Sequence, residues 1–209
     1  MIKEKPVKIS QERVWDSIAG SWNKFRDKPM IEVIDFLKKH EGDILDLGCG
    51  SGRHLINISG VRIHCVDFSE EMLKHAEDKA TRERINAEFR KSESTNLPFM
   101  DSIFDAAIFV SSLHCIETAK DREKALKELL RVLKPGAEAL ISVWSKNHPR
   151  VENKPKNCYI PWTVNGERFL RYYYIYDKEE LENLLKLVGF DILRSWEEEN
   201  VNVIVKKRI

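Results

Sequence analysis

The sequence of 209 residues predicts an α/β fold: a single domain built on a doubly wound, mostly parallel sheet of seven strands. Short apolar runs alternate along the chain with segments in which apolar residues recur at helical spacing. This alternation is typical of parallel sheets with helices on both faces. The last two apolar runs have no helical segment between them, so we expect them to form an antiparallel pair at one end of the sheet.

The apolar periodicity places each element in order. Strands are predicted at residues 44–47, 62–67, 87–92, 105–110, 138–144, 190–196 and 202–206. Helices are predicted at residues 14–25 and 30–40, near residues 53–58, and at 69–82, 121–133 and 177–188. The segment 145–176 reads as one long irregular connection, and connections of that length are usually functional.

The domain therefore divides into four parts. An N-terminal cap helix, within residues 1–30, precedes a ligand-binding core at residues 40–145. An insertion at residues 145–176 is expected on the substrate side, and residues 177–209 supply the last helix and the antiparallel strand pair.

Composition narrows the function classes. Lysine and arginine number 35 against 34 acidic residues, so the whole chain has no net attraction to nucleic acid or membrane. The four cysteines are widely spaced and include no C-x-x-C pair, which predicts reduced thiols and no metal site. No apolar run is long enough for a signal peptide or a membrane span, and we expect a soluble, cytoplasmic protein with no membrane partner.

A glycine-rich turn follows the first predicted strand and contains Gly48, Gly50 and Gly52. In an open parallel sheet, ligands bind at the carboxyl ends of the strands, and the backbone N–H groups of this turn can face a nucleotide-like ligand. Asp67 ends the second strand, 19 residues after Gly48, and can accept hydrogen bonds from both ribose hydroxyls. The neighbouring Phe68 can stack on a base.

The charge next to this turn indicates which nucleoside binds. The glycine spacing is G-x-G-x-G rather than the G-x-G-x-x-G of dinucleotide enzymes, and Asp46 precedes it within the strand. Asp46 would repel a phosphate but tolerate a positive charge, which favours the sulfonium nucleoside S-adenosylmethionine. Cys49 is expected to serve the turn through its backbone and to pack as a small apolar residue.

The motifs DLGCGSG, VDFSEEML, ESTNLPF, FDAAIFVSSLHCIE and RVLKPGAEALISVW, in this order, resemble those of the class I S-adenosylmethionine-dependent methyltransferases, which have a Rossmann-like fold. The resemblance covers roughly residues 40–145. It implies that Asp46 and the turn hold the methionine part of the cofactor, and that Glu93 replaces the usual aspartate near the adenine. The implied cofactor-binding residues are Asp46, Gly48, Cys49, Gly50, Gly52, Asp67, Phe68, Glu93, Ser94 and Ser111.

The flanking segments resemble a narrower group, the tRNA methyltransferases that esterify 5-carboxymethyluridine at the wobble position. The segments are VWDSIAGSWNKFRDKP, SSLHCIE, VWSKNH, IPW and RYYYIYDKEELENLL, and the chain departs from the group's pattern at Trp15, Cys115, Asn147, His148 and Tyr174. The resemblance implies two partners, the tRNA anticodon loop and a small zinc-binding activator subunit along an edge of the sheet. Any zinc would belong to that activator, because this chain has no zinc-ligand spacing.

Methylation of a carboxylate sets modest chemical demands. The carboxylate is already an anionic nucleophile, so the site must hold it in line with the methyl group and exclude water. Arg171 and Arg26 match arginines of the group, and arginine can grip a carboxylate bidentately; we favour Arg171. His114 is expected to hydrogen-bond the nucleobase or carboxylate, while Tyr172 and Trp144 are expected to flank an extruded base.

The insertion begins with a basic stretch that is expected to contact RNA phosphates. Four basic residues there outnumber Glu152: Lys146, Arg150, Lys154 and Lys156. Two other functions stay open. One is methylation of a small acidic or aromatic metabolite, with residues 1–30 and 145–176 as a closed lid. The other is a non-catalytic scaffold, against which the intact glycines and Asp67 argue.

Overall fold

The structure, a computed structural model, describes residues 9–25 and 28–209, which form five α-helices and nine strands. The helices are α1 (Gln11–Phe25), α2 (Ile31–Leu37), α3 (Glu70–Glu83), α4 (Ala119–Val132) and α5 (Lys178–Val188). The strands are β1 (Gly42–Leu47), β2 (Val61–Asp67), β3 (Ala87–Lys91), β4 (Phe104–Val110), β5 (Leu133–Trp144), β6 (Asn157–Val164), β7 (Glu167–Tyr174), β8 (Phe190–Glu197) and β9 (Asn200–Lys207). No helix among these residues is both long enough and apolar enough to cross a membrane.

The central sheet has seven strands in the order β3-β2-β1-β4-β5-β9-β8. The first five of these are mutually parallel, whereas β9 runs antiparallel to both β5 and β8. The seven predicted strands and the terminal antiparallel pair are therefore confirmed. The chain moves outward from β1 in one direction and then returns to place β4 on its other side, so the carboxyl ends of β1 and β4 flank a topological switch point.

Both faces of the sheet are buried. Leu45 and Leu47 of β1 point toward the apolar faces of α4 and α5, while Ile44 points toward α2 and α3. The alternation follows from the strand period of two, and burial on both faces explains why these strands read as nearly continuous apolar runs. Local signals fix the helix ends: the Ser69 hydroxyl accepts from the Met72 N–H at 3.2 Å to start α3, and Gly189 at φ +116° ends α5.

The predicted helix near residues 53–58 is wrong. Residues 50–54 form turns and residues 55–58 have no regular structure. Only about one and a half turns of helix would fit there, and a helix that short does not repay the cost of its nucleus without a packed apolar face. The chain instead reaches β2 in an irregular path.

The insertion is also more regular than expected. Within residues 145–176, β6 and β7 form an antiparallel hairpin. Asn165 and Gly166 make its turn, with φ values of +50° and +83°, as the two-residue turns favoured by hairpins require. The Asn-Gly pair is a strong sequence signal for such a hairpin.

The hairpin and α1 together cover the carboxyl end of the sheet, and we call this pair of elements the cap. The side chain of Gln11 joins the two parts, because its amide donates to the Leu170 carbonyl at 3.2 Å and accepts from the Tyr172 N–H at 2.9 Å. Asp16 of α1 accepts a hydrogen bond from the Ser69 hydroxyl at 2.6 Å, which ties α1 to the start of α3. These hydrogen bonds hold the hairpin to α1, and α1 to the start of α3.

Candidate active site

Two adjoining cavities lie between the carboxyl ends of the parallel strands and the cap. The aromatic cavity is lined by rings from the cap and from the strand ends, and the acidic cavity by carboxylates. The two cavities share five lining residues, Gly48, Asp67, Phe68, Ser112 and Cys115. One elongated ligand can therefore extend from one cavity into the other.

The three glycines of the turn have different roles. A Cβ on Gly48 would lie 2.0 Å from the Ser112 hydroxyl oxygen, and one on Gly52 would lie 3.1 Å from the Ala76 Cβ. A Cβ on Gly50 would meet none of the described atoms within 4 Å, and Gly50 lines the aromatic cavity. Gly48 and Gly50 both line the aromatic cavity, but only at Gly50 is the Cβ position open; at Gly48 it is taken by Ser112 and at Gly52 by the packing of the turn on α3.

Asp67 organises the turn as well as facing the ligand space. Its Oδ2 accepts the Gly50 N–H at 2.8 Å and its Oδ1 accepts the Ser69 N–H at 2.9 Å. Each carboxylate oxygen keeps a further lone pair, and Asp67 lines both cavities. Burial raises the pKa of Asp67 to about 6, against the opposing effect of these N–H donors.

Asp46 lies behind the turn and is only 2% exposed. Its Oδ2 has no hydrogen-bond partner among the residues that the structure describes. Burial and then the charge of Asp67 raise the pKa of Asp46 to about 7, while Lys79 acts in the opposite direction. Asp46 lines neither cavity, so it would act on a cationic ligand through its charge and not through direct contact.

The acidic cavity brings together the residues predicted on the adenine side. Phe68, Glu93 and Ser94 all line it. Burial raises the pKa of the Glu93 carboxyl. Further carboxylates from α1 and from the region after β4 also line this cavity, namely Glu12, Glu117 and Asp121. This surface would repel a phosphate and accept an uncharged adenosine.

An aromatic column forms one wall of the aromatic cavity. Trp144 stacks on Tyr173, with ring centroids 4.4 Å apart and planes at 5°, and on His148 at 4.0 Å and 16°. His114 lines the same cavity, and its Nδ1 accepts the Trp144 N–H at 3.1 Å. This hydrogen bond assigns the proton of a neutral His114 to Nε2. The structure therefore brings Trp144 and His114 together in the lining of this cavity.

Arg171 is 1% exposed and lies behind the wall of the aromatic cavity. Its guanidinium carbon is 5.8 Å from the Trp15 ring centroid, 5.0 Å from that of Trp22 and 4.9 Å from that of Trp162. Nη1 donates to the Tyr173 hydroxyl at 2.8 Å, and Nε has no hydrogen-bond partner within residues 9–25 and 28–209. Burial lowers the pKa of Arg171, and the neighbouring Arg150 acts in the same direction.

The predicted tyrosine is displaced by one position. Tyr172 points to the opposite side of β7, where its hydroxyl donates to Asn157 Oδ1 at 2.5 Å, and it lines neither cavity. Tyr173 takes the place at the site because successive side chains of a strand point to opposite faces. Sequence reasoning missed Tyr173 because the face of β7 could not be assigned without the hairpin.

The other predicted site residues have mixed outcomes. Ser111 and Cys49 line the aromatic cavity, and burial raises the pKa of the Cys49 thiol. Arg26 falls outside the described residues. Trp15 and Cys115, where the chain departs from the resembled group, both line the aromatic cavity.

The basic stretch of the insertion is not a surface of unpaired cations. Two of its lysines are paired with acidic residues near the start of α5: Lys146 with Asp177, and Lys156 with Asp177 and Glu180.

The fold and the site together define a class I S-adenosylmethionine-dependent methyltransferase. A glycine turn at the switch point, an acidic residue at the end of β2 and a buried carboxylate beside the turn fit a cationic nucleoside without phosphates. Residues 44–136 match a family model described as a methyltransferase domain. The chain belongs to the S-adenosylmethionine-dependent methyltransferases, and S-adenosylmethionine is its cofactor.

Solved structures support the same class. A SAM-dependent methyltransferase of Methanosarcina mazei is 25% identical, with a TM-score of 0.70 over 87% of this chain and 99% of the other. The PH0226 protein of Pyrococcus horikoshii is also 25% identical, with a TM-score of 0.69 over 85% of this chain and 89% of the other.

The chain is also similar to curated proteins that form a narrower group within the methyltransferases. The tRNA (carboxymethyluridine(34)-5-O)-methyltransferase of Arabidopsis thaliana is 35% identical over 76% of this chain and 37% of its own length. The protein of the same description in Xenopus tropicalis is 34% identical over 69% of this chain and 22% of its own length. The chain thus spans about a third or less of the length of these two relatives.

Proposed function

We propose that this methyltransferase esterifies the carboxylate of 5-carboxymethyluridine at the wobble position of tRNA. Relatives at 35% and 34% identity carry that activity in their descriptions. The observation that carries the proposal is the buried guanidinium of Arg171 behind the aromatic cavity, since it gives that cavity the positive potential that an anionic acceptor needs.

The environment of Arg171 supports an anionic substrate. Among residues 9–25 and 28–209, no carboxylate forms an ion pair with its guanidinium, so none of these residues offsets the cost of burying the charge in that way. The surrounding rings offset part of it through cation–π contacts. A substrate carboxylate entering the adjoining cavity would supply the missing negative charge.

Tyr173 links that charge to the cavity. Its hydroxyl oxygen accepts a hydrogen bond from Arg171 Nη1 at 2.8 Å, so the hydroxyl lies between the buried cation and the cavity. Tyr173 lines the aromatic cavity, whereas Arg171 does not. We therefore assign Tyr173 the direct contact with the carboxylate and Arg171 the role of orienting and polarising Tyr173, in place of the direct arginine clamp that the sequence predicts.

The remaining residues position the reactants. When bound, S-adenosylmethionine supplies an electrophilic methyl group, and the carboxylate needs no general base to attack it. The cap borders the aromatic cavity and would exclude water from it, and the rings that line this cavity can contact a uracil extruded from the anticodon loop. The predicted hydrogen bond from His114 to substrate stays a prediction, as do the zinc-binding activator subunit and the cytoplasmic location.

Methyl transfer to tRNA tests the function directly. The substrate is tRNA that carries 5-carboxymethyluridine, incubated with S-adenosylmethionine labelled in its methyl group. We expect label in tRNA that is released by mild alkali, and mass spectrometry should show the methyl ester at the wobble nucleoside. Label found only in small acidic or aromatic metabolites would contradict the proposal and favour the second function named above.

The assignment of Tyr173 is tested by a matched pair of variants on the same strand. Tyr173→Phe should lower kcat/KM for tRNA about tenfold or more, as expected for loss of one hydrogen bond to a charged group, with cofactor affinity unchanged. Tyr172→Phe, on the other face of β7, should retain wild-type activity. Equal activity of the two variants would contradict the assigned role.

A further inference from the structure

A surface groove adjoins the mouth of the aromatic cavity. It lies between the end of α1, the glycine turn and the loop after β5. Its described lining residues are Phe25, Lys28, Arg53, His148, Pro149, Arg150 and Glu199. Arg53 lines both this groove and the aromatic cavity, so the two lie next to each other.

Cations from three distant parts of the chain meet in this groove. Lys28 precedes α2, Arg53 belongs to the glycine turn, and Arg150 lies in the short helical turn Pro149–Val151. No carboxylate of the described residues lies within 4.0 Å of the charged groups of Lys28 or Arg150. Glu199 is the one acidic residue among the described lining residues, so this described part of the lining carries an excess of positive charge.

An aromatic ring lies exposed among these cations. Phe25 is 47% exposed, and the Arg150 guanidinium carbon is 4.6 Å from its ring centroid. Exposed aromatic rings next to positive charge are the usual platform for single-stranded nucleic acid, because bases stack on the ring while phosphates meet the cations. A small metabolite enclosed in the aromatic cavity would not need such a platform outside it.

The groove is also connected to the site by stacked rings. His148 lines the groove and stacks on Trp144 at 4.0 Å, and Trp144 stacks on Tyr173 at 4.4 Å. Trp144 and Tyr173 both line the aromatic cavity. A polynucleotide with one base in that cavity would leave it through the mouth that this groove adjoins.

We propose that this groove binds the RNA strand next to the methylated uridine, with Lys28, Arg53 and Arg150 contacting phosphates and Phe25 stacking on a neighbouring base. The inference rests on the proposed function, since it assumes an RNA substrate. It assigns tRNA binding to this face of the enzyme instead of to the whole basic stretch of the insertion. It also predicts that sequence is not read here, because phosphate contacts set position and affinity.

The test compares two double variants with the same change in charge. Lys28→Ala/Arg150→Ala removes two of the three groove cations, and Lys124→Ala/Lys186→Ala removes two exposed cations from α4 and α5. Each is assayed for tRNA methylation at saturating cofactor and at several salt concentrations. We expect the groove variant to raise the KM for tRNA about tenfold or more and to reduce the salt slope of log kcat/KM by about 1.5. The control variant should behave as wild type.

The stacking contact has its own variants. Phe25→Ala should weaken binding of an anticodon stem-loop RNA by about fivefold or more, and Phe25→Tyr should restore it. Cofactor affinity should be unchanged in every variant, which excludes misfolding as the cause.

Binding of the stem-loop RNA separates failure of the groove from failure of the proposed function. If the wild type binds the RNA and the groove variants do not, the groove assignment stands even where no methyl ester forms. If tRNA is methylated and bound equally by groove and control variants, the groove assignment is wrong while the proposed function holds. The groove assignment would also be wrong if the groove variants bound RNA as the wild type does but no longer bound an acidic protein.

Discussion

The glycine turn and the rings of the aromatic cavity are built in different ways. The turn is made largely of backbone, with three glycines at positive φ and the Asp67 carboxylate holding the Gly50 N–H. The aromatic cavity is made of side chains that come from α1, the region after β4, the end of β5 and the hairpin. A contiguous loop and one following strand fix the first, whereas the second exists only once distant parts of the chain have packed together.

This difference predicts that substitutions can alter cofactor binding and methyl transfer separately. Changes on the cofactor side should act on S-adenosylmethionine affinity, and changes behind the aromatic cavity should act on the methyl acceptor alone. Because the cavities share Gly48, Asp67 and Phe68, the separation is testable only with residues that belong clearly to one side.

The largest expected effect is at Arg171. Arg171→Met replaces the buried cation with an apolar chain of similar length, and we expect kcat/KM for tRNA to fall by about 10² or more. Cofactor affinity should stay as in wild type. The free energy of unfolding should be unchanged or slightly higher, because a buried charge without a described carboxylate partner contributes little stability. Enzyme kinetics, calorimetry and urea unfolding measure the three quantities.

Arg168→Ala is the matched control for Arg171→Met, since Arg168 is an exposed arginine on the same strand. It should retain full activity. A variant at Arg171 that lost cofactor affinity together with transfer would show that the two sides of the site are not separable.

The next effect is on pH dependence. The pKa of Asp46 is raised to about 7, so below that pH the folded protein holds a proton that the unfolded chain, with an ordinary carboxyl pKa of 3.8, releases. The cofactor-free protein should therefore lose stability as the pH rises from about 4 to 7. A cationic cofactor favours the ionised form, so its affinity should increase about tenfold per pH unit below 7 and level off above it.

Melting temperatures and calorimetric titrations between pH 5.5 and 8 check this, with Asp46→Asn as the comparison. The variant should show a shallower profile, and the part that persists should come from Asp67, whose pKa of about 6 falls in the same range. An unaltered profile in Asp46→Asn would remove Asp46 from the cofactor side.

The glycine turn gives a sharper comparison within the cofactor side. Gly48→Ala would place a Cβ 2.0 Å from the Ser112 hydroxyl oxygen, so we expect the free energy of unfolding to fall by about 1–3 kcal/mol. Gly50→Ala meets no described atom within 4 Å and is strained only by its φ of +54°. It should fold with a loss of stability of roughly 1–2 kcal/mol from the backbone strain. It should bind the cofactor about tenfold more weakly, because the methyl group enters the cavity.

Thermal unfolding and cofactor titration distinguish these two outcomes. The double variant Gly48→Ala/Ser112→Gly should recover part of the stability lost in Gly48→Ala, since it removes the clashing hydroxyl. If Gly48→Ala were as stable as Gly50→Ala, the packing reason given for Gly48 would be wrong.

The sequence predicts the cofactor side better than the acceptor side for a physical reason. Three local signals predict this side: the strand before the turn, the glycine spacing and the acidic residue that ends β2. They place Asp46, Gly50 and Asp67 at the strand ends where the structure has them. The sequence predicts a ligand contact at Gly52, because its packing partner on α3 lies far along the chain and cannot be seen in the local pattern. Local patterns cannot show which glycine faces a helix and which faces open space.

The acceptor side depends on a hairpin that the sequence signals only at its turn. Asn165 and Gly166 indicate the turn, but Pro161 lies within β6 and argues against a strand there. Without the hairpin's register, Tyr172 and Tyr173 are equally good candidates, because a shift of one residue exchanges the two faces of a strand. The rings around Arg171 come from α1 and β6, so no local pattern predicts that its charge is buried.

The smallest expected effect is at the joint between the two parts of the cap. Gln11→Ala removes both hydrogen bonds from α1 to β7, at 3.2 Å to the Leu170 carbonyl and 2.9 Å from the Tyr172 N–H. Each is worth about 0.5–1.5 kcal/mol, so we expect a loss of stability of about 1–2 kcal/mol. The KM for tRNA should rise a few-fold with cofactor affinity unchanged, because the cap borders the aromatic cavity. Hydrogen exchange of the Tyr172 amide should quicken; if it does not, Gln11 does not hold the cap together.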